Sequence, residues 1–121
     1  MPHSTVKPVG HSGSWFANWQ GGSYPCVHSE RMSGGWYYDP TVNSGLPQWP
    51  RFIYAIKDAK KVILTKSNVK DKNDPPPWKR ARKGQYLSLW EVDDVGIVQE
   101  DGRSCFRFRF VEELVNWPHN L

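Results

Sequence analysis

Asp101-Gly102-Arg103-Ser104-Cys105-Phe106-Arg107-Phe108-Arg109-Phe110-Val111 is the stretch whose reading decides the fold. Asp-Gly is a strong signal for a two-residue hairpin turn, because both positions accept the positive φ angles that match the twist of paired strands. The returning segment then alternates. Phe106, Phe108 and Phe110 share one face, and Arg103, Cys105, Arg107 and Arg109 share the other. The partner strand runs from Gly96 to Glu100. Before it, Asp93-Asp94 reads as a turn, and Tyr86-Leu87-Ser88-Leu89-Trp90-Glu91-Val92 as a strand apolar on both faces.

Working outward, Trp15-Phe16-Ala17-Asn18-Trp19 reads as a short aromatic strand, and Gln20-Gly21-Gly22-Ser23 as a turn. Tyr24 to Met32 completes a second hairpin, with Pro25 near the start of its strand, where a missing N–H is tolerated. Ser33-Gly34-Gly35 breaks that strand. From Trp36 to Pro50 the residues suggest an irregular stretch rich in Pro, Gly, Asn and Ser. Pro50 suits the first turn of a helix, and Phe52, Ile53, Ile56 and Ala59 recur at helical spacing. Val62 to Thr65 follows as a buried strand. Lys66 to Gly84 is a polar loop in which Pro75-Pro76-Pro77 favours an extended chain leading into Trp78. Glu112 to Trp117 suggests a short terminal helix or strand.

The sum is an α+β, mainly β fold: a small barrel of about six mostly antiparallel strands with one or two helices. Residues 1–14, rich in Gly, Ser, Pro and His, read as a flexible leader, and 15–117 as a single domain.

Charge is distributed unevenly. Residues 51–83 hold eleven of the sixteen Lys and Arg against three of the twelve acids, a local excess of eight positive charges in a chain whose net charge is +4. Such polarisation attracts a polyanion well beyond what the overall charge suggests. Seven tryptophans add flat apolar surfaces able to fill a core or stack on bases. No apolar run approaches the roughly 20 residues that span a bilayer, so a membrane partner is not expected. Met1-Pro2-His3-Ser4-Thr5 has neither a basic start nor an apolar stretch, so the expected location is cytoplasmic. Cys26 and Cys105 are expected as reduced thiols. The four scattered histidines match no metal spacing, and neither metal nor cofactor is expected.

Trp78, Lys79, Arg80, Arg82 and Lys83 form the foremost nucleic-acid-binding candidate, with an indole to stack on an unpaired base and cations to hold phosphates. A solvated loop with its tryptophan folded back is the competing reading. Lys57 and Lys60 on the helix extend the basic face. A cage around a base or a methylated ammonium would draw on Trp15, Trp19 and Trp36, together with Tyr37 and Tyr38. Between the first two, Asn18 carries an amide able to read a base edge. The competing reading puts most of these rings in the core, because aliphatic residues are scarce. Arg103, Arg107 and Arg109 either line a groove or pair with Glu91, Asp93 or Glu100. Cys26 and His28 fall on one strand face, without an orienting group or oxyanion site.

The order of elements resembles PUA-like domains, most of all the EVE and YTH branches. The resemblance rests on the Trp15-Phe16 strand, the aromatic loop, Trp49-Pro50 ahead of a helix, Lys61-Val62-Ile63-Leu64-Thr65, and Gly84-Gln85-Tyr86-Leu87-Ser88-Leu89-Trp90-Glu91-Val92. It covers about residues 15 to 110. It implies a small β-barrel recognising RNA or DNA, commonly by taking a modified base into an aromatic pocket. Trp15 to Trp19 and Trp49 would border that pocket. Where such domains often carry Lys-Ser near the end of the first strand, this chain has Asn18-Trp19. The expected function is therefore non-enzymatic nucleic-acid binding. Two alternatives stand beside it: a protein-interaction module caging a methylated side chain or peptide, and a metal-independent nuclease using two histidines, drawn from His11, His28 and His119, and a lysine.

Overall fold

The computed structural model describes residues 8–10, 15–66 and 85–117. These residues form a mostly β structure in which one curled, half-barrel sheet wraps a single α-helix. The strands are β1 (Val9–Gly10), β2 (Phe16–Trp19), β3 (Gly22–His28), β4 (Met32–Ser33), β5 (Trp36–Asp39), β6 (Lys61–Lys66), β7 (Gln85–Glu100) and β8 (Arg103–Asn116). Their order across the sheet is β1-β2-β3-β6-β7-β8-β5-β4. Eight strands thus replace the six expected, partly because Val9–Gly10, within the stretch expected as a leader, pairs with Asn18 and Ala17.

Three two-residue turns set the registers. Gln20-Gly21, Gly34-Gly35 and Asp101-Gly102 all have positive φ at both positions, the type that matches hairpin twist. At the last, φ is 51° for Asp101 and 76° for Gly102, joining Glu100 to its register partner Arg103. The middle turn makes Trp36–Asp39 a strand where an irregular stretch was expected, because Trp36 to Asp39 pair with Arg109 to Phe106 on β8. Asp93-Asp94 does not end its strand either. Asp93 faces Arg109 and Gly96 faces Arg107, so the local turn tendency is absorbed as a bulge, with Asp94 at φ 51°.

The single parallel pairing joins β3 to β6, and helix α1 (Trp49–Ala59) lies in the connection between them, as a parallel neighbour requires. Trp49, Phe52 and Ile56 point into the core from one helical face. They meet Val27, Val62, Leu64 and the expected row of Phe106, Phe108 and Phe110. On the other side of the sheet, a second cluster gathers Ala17, Ile63 and Leu89 around Trp117, which is fully buried. Alternation of Val62 and Leu64 with Ile63 on β6 feeds both clusters, which explains the apolar character of the central strands on both faces. Among the described residues no helix is long and apolar enough to cross a membrane.

The connection from β5 to α1 is held by polar side chains. Asp39, 6% exposed, accepts from the Tyr37 hydroxyl at 3.0 Å and from the Thr41 backbone N–H at 2.9 Å, capping a 3-10 turn over Pro40–Ser44. Asn43 then donates to the Ser104 carbonyl and accepts from its N–H at 3.2 Å, tying that turn to the start of β8.

The C-terminal end of α1 places Lys60 in the left-handed region, φ 55°, while its N–H donates to Ile56 O at 2.8 Å. A side chain there costs roughly 1–2 kcal/mol, offset in part by the unfolded-state entropy that glycine adds. Lys60→Gly should therefore raise stability by up to about 1 kcal/mol in urea unfolding, whereas Lys60→Ala should not.

Candidate functional site

Helix α1 turns its outer face to solvent with Arg51 and Lys57 exposed; Lys60, expected on the helix, is exposed at its left-handed C-cap, and Lys61 is exposed at the start of β6. The first of these lies over the Phe16 ring at 5.0 Å, a cation–π contact that ties it to β2. Beside this face an open groove of about 600 Å³ runs between α1, the Pro40–Ser44 turn with the residues after it, and β7. Trp49, Ile53, Tyr54, Leu46 and Ile97 line it, and Lys57 supplies its charged group. Tyr54 is 70% exposed, and Leu46 and Ile97 are about half exposed, an unusual concentration of bare apolar surface.

The aromatic candidates fall in three places. Trp15 and Trp49 meet edge to face with ring centroids 5.0 Å apart, and both contact Phe52 the same way. Of the two, Trp49 is 5% exposed and also abuts Phe106, so it belongs to the core as well as to the groove wall. Trp19 lies in the second cluster, edge-on to Trp117 at 5.4 Å. Asn18 is exposed on β2, between two side chains that pack inward. Trp36 stands elsewhere, on the β5–β8 face away from the helix. The five are therefore not one cage. Trp15 and Trp49 come together, and Trp19 and Trp36 are separate from them.

Trp78, Lys79, Arg80, Arg82 and Lys83 lie outside the described residues, as do His11 and His119. Among the described residues there is no group of three metal-ligating side chains. Cys26 and Cys105 are unpaired thiols. Burial pushes the Cys26 thiol up to about 12, opposite to the depression that a nucleophile paired with histidine needs. Neighbouring His28 is exposed at the end of β3. Burial, reinforced by the Asp39 carboxylate, likewise holds the Tyr37 phenol far above its ordinary range.

The arginine ladder divides. Arg109 grips Asp93 through two bonds, of 3.0 and 2.7 Å, with Asp94 3.5 Å away, which is the pairing alternative. Arg107 instead sits over the Trp36 ring, 4.6 Å from its centroid. Sequence reasoning missed the apolar groove, since Leu46, Tyr54 and Ile97 come from three segments with no shared motif. Compared with known proteins, the chain matches no family model, no curated protein and no solved structure.

The raised Cys26 thiol carries a consequence for pH. Its folded value lies above the ordinary 9.0, so the stability tied to the neutral thiol is complete below pH 9 and is lost as pH rises towards about 12. Equilibrium unfolding measured from pH 8 to 12 should show that loss, and Cys26→Ala should diminish it. At pH 8, native Cys26 should react with an aromatic disulfide some tens of times (~30- to 60-fold) slower than in urea, the lost thiolate fraction being partly offset by the greater nucleophilicity of a more basic thiolate.

Proposed function

We propose that this protein binds nucleic acid, with Lys57 of α1, Lys60 at its C-cap and the basic residues that follow holding phosphates while the neighbouring aromatic groove receives an unpaired base. The observation that carries the reading is exposed Lys57 on α1 at the edge of a groove walled by Trp49 and edged by the bare ring of Tyr54, with exposed Lys60 at the C-cap of the same helix. Phosphates would meet the Lys57 ammonium there, and a base would meet aromatic and aliphatic surface. The excess of eight positive charges over residues 51–83 supports the same partner, since Lys57 and Lys60 belong to that stretch. A PUA-like relationship, as the order of elements suggests, agrees with this reading.

A protein ligand is favoured by one observation. Leu46, Tyr54 and Ile97 present apolar surface of the kind that also seats a peptide side chain. Salt separates the two readings. Phosphate binding releases counterions and so weakens steeply as salt rises, whereas apolar peptide docking does not.

Fluorescence anisotropy with labelled single-stranded 12-mers of DNA and RNA, titrated from 50 to 300 mM salt, tests the proposal. Binding should fall steeply along a straight line of log affinity against log salt. The double variant Lys57→Ala, Lys60→Ala should weaken binding at 50 mM salt and lower the slope by about 1 to 2. A flat salt response, or no binding at 50 mM salt, would contradict the proposal.

A further inference from the structure

The face of β5 and β8 turned away from α1 carries an arrangement with no part in the core. On β5, Tyr37 and Asp39 are buried, so Trp36 and Tyr38 project to the opposite side. Their rings stack on each other, centroids 6.4 Å apart and planes 30° from parallel, and both are half-buried. On β8, Arg107 is the register partner of Tyr38, and its guanidinium rests over Trp36 at 4.6 Å. Among the described residues Arg107 has no carboxylate partner, whereas Arg109, two residues on, is taken up by Asp93 and Asp94. Gly96 stands opposite Arg107 on β7 and adds no side chain to the surface.

We propose that Trp36, Tyr38 and Arg107 form a second contact for single-stranded nucleic acid, in which an unpaired base stacks on the paired rings and Arg107 holds the adjoining phosphate. A half-exposed aromatic stack on a sheet can be extended by the flat face of any base, so such a platform selects unpaired strands and tolerates sequence. A guanidinium stacked on an indole keeps its N–H edge outward, where a phosphate accepts two parallel bonds. Charge decides against a methylated lysine, because Arg107 already places a cation on the Trp36 face and would repel a second. This deepens the nucleic-acid reading above and rests on it.

The test uses the full chain, with labelled single-stranded and duplex 12-mers of the same sequence at 50 mM salt, and thermal melts to verify folding. Trp36→Ala and Tyr38→Ala should each weaken single-strand binding about 5- to 150-fold, leave the salt slope unchanged and leave duplex binding unaffected. Arg107→Gln should weaken it and reduce the slope by about 1. Photocrosslinking of wild type with 5-iodouracil oligonucleotides should label Trp36 or Tyr38, a readout that does not depend on a variant folding. If Lys57→Ala, Lys60→Ala weakens binding while the platform variants bind normally and crosslinks map only to Tyr54, the platform is wrong and nucleic-acid binding stands. Absence of any oligonucleotide binding by wild type overturns both. Binding of a trimethyl-lysine peptide that Trp36→Ala abolishes, with oligonucleotide binding intact, would assign the face to a protein ligand.

Discussion

Everything in this molecule depends on a contact among rings. Trp49 and Phe52 on the helix meet Phe106 on the sheet, with centroid separations of 5.7 and 6.3 Å, and Trp15, just ahead of β2, closes the group. Edge-to-face packing of this kind adds about 0.5–1.5 kcal/mol per pair beyond the area that each ring buries. In a chain with few leucines and isoleucines, such rings supply most of the apolar surface that folding removes from water. They also fix where the helix sits, and therefore which of its faces remains wet.

From that placement the two sides of the sheet acquire different characters. Towards α1, the phenylalanines of β8 and the central valines and leucines are sealed. Away from it, Trp117 covers the half formed by β2, β6 and β7, while Trp36, Tyr38, Arg107 and Arg109 occupy the half formed by β5 and β8. One tryptophan closes a core and another lies beneath an arginine on a partly exposed strand face. The difference lies in the neighbours each strand position provides, since both are large rings at strand positions or beside them. Asp39 joins the two sides of β5 to the groove: it is buried, accepts from Tyr37 and Thr41, and lies 3.7 Å from Arg31. The residues that bridge β5 and α1 are thereby anchored at one end, and Asn43 anchors them to β8.

Local signals in the sequence were readable wherever the answer was itself local. Asp101-Gly102 and the Phe-Arg alternation foretold the β7–β8 hairpin, and Pro50 with Phe52, Ile53 and Ile56 foretold the helix. Trp36–Asp39 was obscured because its strand character comes from pairing with β8, some seventy residues away. Asp93-Asp94 carried true turn chemistry, yet continuous pairing with β8 on both sides converted the turn into a bulge. The two faces of Tyr86–Val92 were legible as doubly apolar, but not what covers each. The groove was invisible for the same reason, its walls being drawn from α1, β7 and the residues between Val42 and Pro47. Lys57 was legible as a helix-borne cation because helical spacing separates it from the buried face, whereas Lys60, expected on the helix, is that helix's left-handed C-cap.

One measurement bears most directly on the claim that this surface meets nucleic acid: amide and indole N–H resonances in two-dimensional NMR while a short single-stranded oligonucleotide is added at low salt. The account predicts that the Lys57 and Lys60 amides and the Trp36 indole shift progressively, that the indole of buried Trp117 stays in place, and that the shifts vanish in high salt. Resonances unmoved at low salt, or shifts confined to Trp117 and its neighbours, would contradict it.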